Sequence, residues 1–309
     1  MLLTDGNSVA HAAHNGTKLS TGDMETQAIF GTLNTIRDLL GKFTGFSPIV
    51  LWDAGTPKER VELFPEYKGN RDLNDPSRVS LRTQKPYILR ALFHLGIPQM
   101  AAEGAEADDL AGMLAQKAEM KGIQTILVTG DRDWLQLVGE HVSWYEHRTE
   151  KVVNHALFKS ETGYATPRGF LEGKALRGDS SDNVPGVGGI GEKGAVEFIA
   201  RYGSVKGFVD EVRRGTAGKL GAALKRLAEN KAPNPSKKFG KLEPAMQAFV
   251  RNMKLMDLSH SASELAKRVN VTRGEFDREK FAALCEELAF QSILRDLDGW
   301  LKPFEEIRA

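Results

Sequence analysis

The chain has 309 residues, 41% of them hydrophobic, which suffices for a large core and favours one big domain with a smaller appendage. A formal net charge of +1 excludes a uniformly basic coat, so any nucleic-acid role must rest on acids gathered in one place and bases in another. The single cysteine, Cys285, excludes a disulfide framework within the chain or a cysteine-based zinc site; among Leu284, Leu288 and Ala289 it reads as a small core residue.

In chain order, Leu2-Leu3-Thr4 is a short apolar run ending at Asp5. Met1-Leu2-Leu3 meets that aspartate at once, so it is not a signal peptide, and no apolar run has membrane-spanning length; a cytoplasmic protein with no membrane partner is expected. Residues 24–42 carry Ile29, Phe30, Leu33, Ile36 and Leu40 at helical spacing, and Ile49-Val50-Leu51-Trp52 then ends at Asp53. Arg90 to Leu95 closes a further helix, Leu110, Met113, Leu114 and Ala118 stripe another, and Thr125-Ile126-Leu127-Val128 runs into Thr129-Gly130-Asp131. This is the rhythm of a mostly parallel α/β sheet with helices on both faces. From about Thr166 the pattern turns helical; 230–241 reads as a loop, with helices expected over 243–256, 278–288 and 292–301.

Three of the apolar runs finish on an aspartate, and ligands of open α/β sheets bind beyond the carboxyl ends of the strands. Asp5, Asp53, Glu106, Asp108, Asp109, Asp131, Asp133, Asp179 and Asp182 form the candidate constellation. Capping and the helix dipole account for Asp108 or Asp109 singly, and scattered solvated aspartates would leave the same spacing. Gathered together, the set needs cations. Two like charges ~4 Å apart repel by about 4 kcal/mol at an effective dielectric near 20. Hard oxygen ligands select Mg²⁺ or Mn²⁺, and a pair of such ions suits in-line phosphoryl displacement.

The segments LLTDGNS (2–8), VLWDAG (50–55), FPEYKGNR (64–71), GAEADDLAG (104–112), VTGDRDWLQLV (128–138) and ALRGDSSDNVPGVGGIGEKGA (175–195) follow in an order and spacing that resembles the flap endonuclease and 5′→3′ exonuclease family. The resemblance covers roughly residues 1–200 and is similar to stand-alone phage enzymes and to the amino-terminal domain of bacterial DNA polymerase I. It implies a PIN-like sheet domain over 1–165, a helical arch at about 65–90, and a helical DNA-binding region over 166–309 with a helix–three-turn–helix motif at 175–202. It implies that Asp5, Asp53, Glu106 and Asp108 surround a first metal ion, Asp108 bridging to a second. Asp131, Asp133 and Asp179 would hold that second ion, with Asp109 and Asp182 close by. Lys68 and Arg71 would reach the scissile phosphate, and Lys174 matches a further basic position. The implied partner is DNA with a 5′ end, flap or nick, RNA-primed ends included, cut by a monomer. Many relatives carry an arginine soon after the first aspartate. Here the stretch reads Val9-Ala10-His11-Ala12-Ala13, so that phosphate contact lacks its residue. Gly189 also replaces a frequent proline.

The stretch 185–194 is not a dinucleotide fingerprint, because Gly-Asp-Ser-Ser-Asp-Asn rather than a strand precedes it. A helix-hairpin-helix turn fits: Gly186, Gly188, Gly189 and Gly191 let backbone approach a phosphate, and Lys193 adds a charge. The resemblance implies a K⁺ ion there. Residues 66–90 read as an irregular basic segment in which Tyr67 and Tyr87 are placed to stack on bases. Two other readings of the chain are a catalytically weak relative that only holds branched DNA, and a PIN-type ribonuclease, although those domains are shorter and lack the glycine turn.

Overall fold

A computed structural model describes residues 1–235, 242–259 and 262–308. Strand β1 (Leu2–Asp5) is buried throughout, and Asp5 at its end caps helix α1 (Gly6–His14) by accepting the Ser8 N–H at 2.9 Å. A small hairpin, β2 (Ser20–Thr21) and β3 (Met24–Glu25), precedes α2 (Gln27–Lys42). The expected helix therefore starts three residues later than its apolar spacing suggests, because Met24 and Glu25 pair with β2.

Strand β4 (Pro48–Trp52) leads into α3 (Lys58–Leu63) and α4 (Pro76–His94). The segment read as irregular is thus largely helical. Asp75 caps α4 through the N–H groups of Ser77 and Arg78, and Pro76 sits in the first turn, where no backbone donor is needed. Then come β5 (Gln99–Ala102), α5 (Ala107–Lys121), β6 (Thr125–Val128), a 3₁₀ turn (Arg132–Leu137), β7 (Val142–Glu146) and β8 (Lys151–Val153).

The second half holds α6 (Phe158–Thr162), α7 (Pro167–Arg177), the two-residue strands β9 (Gly178–Asp179) and β10 (Val184–Pro185), α8 (Glu192–Tyr202), α9 (Val205–Arg214) and α10 (Ala222–Ala228). After it follow α11 (Ala245–Met256), α12 (Ala262–Arg268), β11 (Val269–Thr272), α13 (Arg278–Glu287), α14 (Gln291–Arg295) and α15 (Leu297–Glu306). Of the expected loop, 231–235 has no regular structure, and 236–241 lie outside the described residues. The helix expected over 292–301 is broken at Asp296, whose carboxylate caps α15 by accepting the Gly299 N–H at 3.1 Å.

The main sheet runs β11-β5-β4-β1-β6-β7-β8. Its five inner strands are parallel, and β11 and β8 are antiparallel edges. The two sheet faces alternate along each strand. Leu3 and Leu51 pack with Leu110, Trp134 and Phe198 on one face; Leu2 and Val50 pack with Ile29, Leu92, Phe281 and Trp300 on the other. The second half is therefore not a purely helical region standing apart. Its last segment pairs β11 with β5 and lays α13 to α15 over α2 and α4, because the apolar face of those helices needs cover. No helix among the described residues is long and apolar enough to cross a membrane.

Gly112 on α5 shows how tightly the returning chain is seated: a Cβ there would lie 2.1 Å from the Leu258 carbonyl oxygen. Gly112→Ala should destabilise the protein by roughly 1–3 kcal/mol. Gly41→Ala, in open space on α2, should be neutral or slightly stabilising. Denaturant midpoints of the two variants check both.

Candidate metal centre

Strands β4, β1 and β6 lie side by side, so the residues at their carboxyl ends meet. Asp5, Asp53, Glu106, Asp108 and Asp131 line one open crevice of about 540 Å³ there. Asp5 is 6% exposed; its two oxygens accept the Ser8 N–H at 2.9 Å and the Thr129 hydroxyl at 2.8 Å. Asp53 accepts the Ala107 N–H at 2.8 Å, which ties the end of β4 to the start of α5. Asp108 accepts the indole N–H of Trp134 at 2.7 Å, and Asp131 accepts the Asp133 N–H at 2.8 Å. Each aspartate is held by neutral donors, which orient a carboxylate without neutralising it.

The electrostatics follow. Burial, with a smaller push from Asp53, raises the Asp5 carboxyl to about 6 despite its hydrogen bonds. Burial and then Asp131 and Glu106 raise Asp108 well above the carboxylate range; desolvation between the crevice walls and then Asp133 raise Asp131. Glu106 goes the other way. Burial alone would raise it, but the Lys68 ammonium and the Arg60 guanidinium outweigh that and keep it low. Asp5, Asp53, Asp108 and Asp131 thus have no ion-pair partner among the described residues, although cationic side chains also line the crevice. An oxygen-rich donor set of this kind fits a hard divalent ion.

A second acidic group lies alongside. Carboxylate oxygens of Asp133, Asp179 and Asp182 all fall within 4.8 Å of one another. Lys174, only 2% exposed, places its ammonium against Asp133 and 2.7 Å from Asp179. Burial would lower the lysine, but the two carboxylates hold it well above its usual range, and it in turn holds Asp179 well below. Asp182 accepts Arg71 at 2.8 Å and the Tyr67 hydroxyl at 3.3 Å. Lys68 bridges the groups, bonded to Glu106 and 3.8 Å from Asp182. This second group therefore carries its own counter-ions.

Several expected residues sit elsewhere or act differently. Asp109 does not join either group. Its oxygens take both terminal nitrogens of Arg60, at 2.9 and 2.5 Å, and also cap Glu106 through the Glu106 N–H. Tyr67 is buried, with its hydroxyl 3.0 Å from Glu106, so it cannot stack on a base; Tyr87 is half-buried beneath the Arg90 guanidinium. Arg60 itself gave no signal in the sequence, because its acidic partners lie 46 and 49 residues away. It also donates to the Leu255 carbonyl, fixing α3 to α11. Arg78, Arg132 and Arg148 line the crevice as well. His11 faces it too, but burial and then Arg78 push its imidazole below the usual value, so it adds no cation at neutral pH.

Two chain segments clasp to build the crevice wall. The Lys68 N–H donates to the Asp182 carbonyl at 2.9 Å, and the Asn183 amide donates to the Glu66 carbonyl at 2.8 Å. Both Lys68 and Asn183 are left-handed, with φ of 55° and 60°. That conformation costs a residue with a side chain about 1–2 kcal/mol; here it turns the lysine back over Glu106.

Beyond the clasp, the glycines divide. A Cβ on Gly186 would meet the Arg177 carbonyl at 2.4 Å, and one on Gly188 would meet Pro233 at 2.5 Å, so both serve close packing within the fold. Gly189, at φ 77°, faces Arg226 and is exposed. Gly191 faces open space and caps α8, and Lys193 is exposed one residue into that helix.

Acids gathered over the middle of a parallel sheet, joined to a glycine-turned helix pair, define a class: a resolvase-like domain with a SAM-type helical companion. Residues 1–163 match the N-terminal resolvase-like domain of the 5′-3′ exonuclease family, and 165–264 match its C-terminal SAM fold. The chain belongs to the 5′-3′ exonuclease family. DNA polymerase I of Bacillus caldotenax is 32% identical over 97% of the chain, and thermostable DNA polymerase I of Thermus filiformis is 32% identical over 99%. The chain spans about a third of the length of these relatives, 32% and 34%. The fold is that of the bacteriophage T5 D15 protein crystallised with metal ions: the TM-score is 0.65 at 22% identity, covering 100% of this chain and 99% of that one. The catalytic core of Rad2 in complex with DNA substrate is also similar, with a TM-score of 0.58 at 18% identity, covering 98% of this chain and 91% of that one.

The raised carboxyl of Asp5 makes a pH prediction. Its folded value, about 6, exceeds the unfolded value near 3.8. The folded state then binds the proton more tightly, so metal-free stability falls as pH rises from about 4 through 6. Asp5→Asn should remove that slope. In EDTA, the melting temperature of wild type relative to Asp5→Asn should drop across this window, by the equivalent of up to about 3 kcal/mol, and Mg²⁺ should restore it. A pH-independent difference in EDTA would contradict the uncompensated charge.

Proposed function

We propose that the chain is a divalent-metal-dependent 5′ nuclease that hydrolyses DNA phosphodiester bonds near a 5′ end, flap or nick. One observation carries the reading: five carboxylates from distant parts of the chain converge in one crevice, and four of them, Asp5, Asp53, Asp108 and Asp131, have no ion-pair partner among the described residues. Asp5, Asp53, Glu106 and Asp108 are the residues to hold a first Mg²⁺ or Mn²⁺, and Asp133, Asp179 and Asp182 a second; Asp131, which the resemblance gives to the second ion, lines the crevice of the first. Bound there, such ions lower the pKa of water and stabilise a leaving oxygen.

The chain's own groups do the rest. Lys68 and Arg71 stand at the crevice wall, where a phosphate oxygen can exchange for Glu106 or Asp182 as their partner. Lys174 is too buried to meet substrate. Its part is to neutralise Asp133 and Asp179, which gives a role to the basic position that the resemblance only matches. Asp109 belongs with Arg60 as a positioning residue outside the ligand set. A division of labour follows, with catalysis in 1–165 and duplex grip by the turn around Gly189, Gly191 and Lys193 in the following region. A K⁺ ion at that turn, acceptance of RNA-primed ends, a monomeric state and a bacterial or phage-infected cytoplasm complete the proposal.

End-labelled flap, nicked and blunt DNA with Mg²⁺ or EDTA tests it. Cutting should appear only with the metal. Asp131→Asn should abolish cutting while leaving DNA binding nearly intact; a variant that still cuts at the wild-type rate would end the assignment. Lys68→Ala should slow the single-turnover step by about a hundredfold or more, the order expected for a charged transition-state contact, with little change in duplex affinity. Gly191→Val should weaken duplex binding with metal affinity unchanged, and unaltered affinity would show that the turn does not touch DNA. The two acidic groups should also differ in metal affinity. The second must displace or share Lys174, so calorimetry with Ca²⁺ should resolve one tighter and one weaker site.

A further inference from the structure

The crevice has two walls of different character. On the side of the segment between α3 and α4, Lys68 and Arg71 are already paired with Glu106 and Asp182. On the opposite side, Arg132 lines the crevice with no acidic partner within ion-pair distance among the described residues. Arg148 joins it from the turn between β7 and β8, aimed by Glu146, which accepts its Nε at 2.9 Å. That glutamate is 5% exposed and is held in turn by the backbone and hydroxyl of Thr149, at 3.0 and 2.5 Å. With Nε occupied, the terminal nitrogens of Arg148 are left to face the crevice. One of them lies 3.5 Å from where a Cβ on Gly130 would be, an ordinary contact distance, which seats the guanidinium beside the turn after β6. The same wall holds Asn7, whose buried side-chain amide nitrogen has no hydrogen-bond partner.

From this arrangement we infer that Arg132, Arg148 and Asn7 form a subsite for a non-bridging oxygen of a phosphodiester flanking the one that is cut. The inference rests on the nuclease reading and deepens it. An unpaired guanidinium, a second one pre-aimed by a buried carboxylate, and an amide donor lacking an acceptor all call for the same thing: an anion rich in oxygen. A phosphate on the strand that enters the crevice supplies it. The subsite also answers a gap in the sequence. After the first aspartate the chain offers His11 where the resemblance leads one to expect an arginine. Arg132 and Arg148 bring positive charge to the same crevice from β6 and β7.

The test pairs variants with substrates. The Arg132→Ala/Arg148→Ala double variant is compared with wild type on a 5′-flap DNA and on versions in which one phosphate flanking the scissile bond is an uncharged methylphosphonate. Losing charge-assisted hydrogen bonds should cost roughly tenfold to a hundredfold in kcat/KM on the all-phosphate substrate. At one methylphosphonate position the wild type should fall by a similar factor and the double variant no further. The salt dependence of DNA binding should also flatten, by about one unit of slope per lost contact. Arg132→Lys/Arg148→Lys should recover part of the rate. An unimpaired double variant with wild type active would overturn the subsite alone. So would a variant that loses as much as wild type at every methylphosphonate position. Wild-type protein that cuts none of the substrates in Mg²⁺ would overturn the nuclease reading and the subsite with it.

Discussion

Repulsion between carboxylates is the constraint around which this molecule is arranged. Three adjacent parallel strands end in acids, and the start of α5 adds two more, so the fold itself forces negative charges together. Each must be held in place, yet holding it with a cation would remove the charge that makes it useful. The structure separates the two tasks. Asp5, Asp53, Asp108 and Asp131 are fixed by a hydroxyl, an indole and backbone N–H groups, all neutral donors. Full cations go to the residues around them.

Arg60, Lys68 and Lys174 show that division. Arg60 neutralises Asp109 and steadies Glu106, while its Nε holds the backbone of α11. Lys68 spans Glu106 and Asp182 from a left-handed backbone position. Lys174 lies nearly buried between Asp133 and Asp179. Buried ion pairs of this kind contribute little net stability, because desolvation offsets their attraction. Their value here is positional: they set which acids stay uncompensated and which wall of the crevice carries free positive charge.

The packing around the crevice serves the same end. The clasp between 66–68 and 182–183 fixes the segment between α3 and α4 to the hairpin that carries Asp179. The returning β11 and α13 to α15 brace β5, α2 and α4 from behind. The glycine turn beyond the hairpin combines close packing at Gly186 and Gly188 with an open, amide-rich face at Gly191.

Much of this was legible in one dimension. Apolar runs that stop at aspartate marked β1, β4 and β6, because a buried parallel strand must be apolar until it reaches the edge where charge can be solvated. The ordered motifs identified the family, and all the acids that line the crevice could be named in advance. Only the end of helix α4, from Arg90, was legible; its start was not, since that basic, proline-bearing surface lacks a clear apolar stripe and its cap works through Asp75. Nor was the partnership of Asp109 with Arg60, the burial of Tyr67, or the strand β11. Those depend on contacts between residues tens to hundreds of positions apart, and local spacing carries no record of which distant charge arrives first. The sequence by itself determined the kinds of groups present and the strand ends that bear them. Only the tertiary structure decided which carboxylates are neutralised and which are left for a metal, because electrostatic energy depends on distance and burial, and both come into being with the fold.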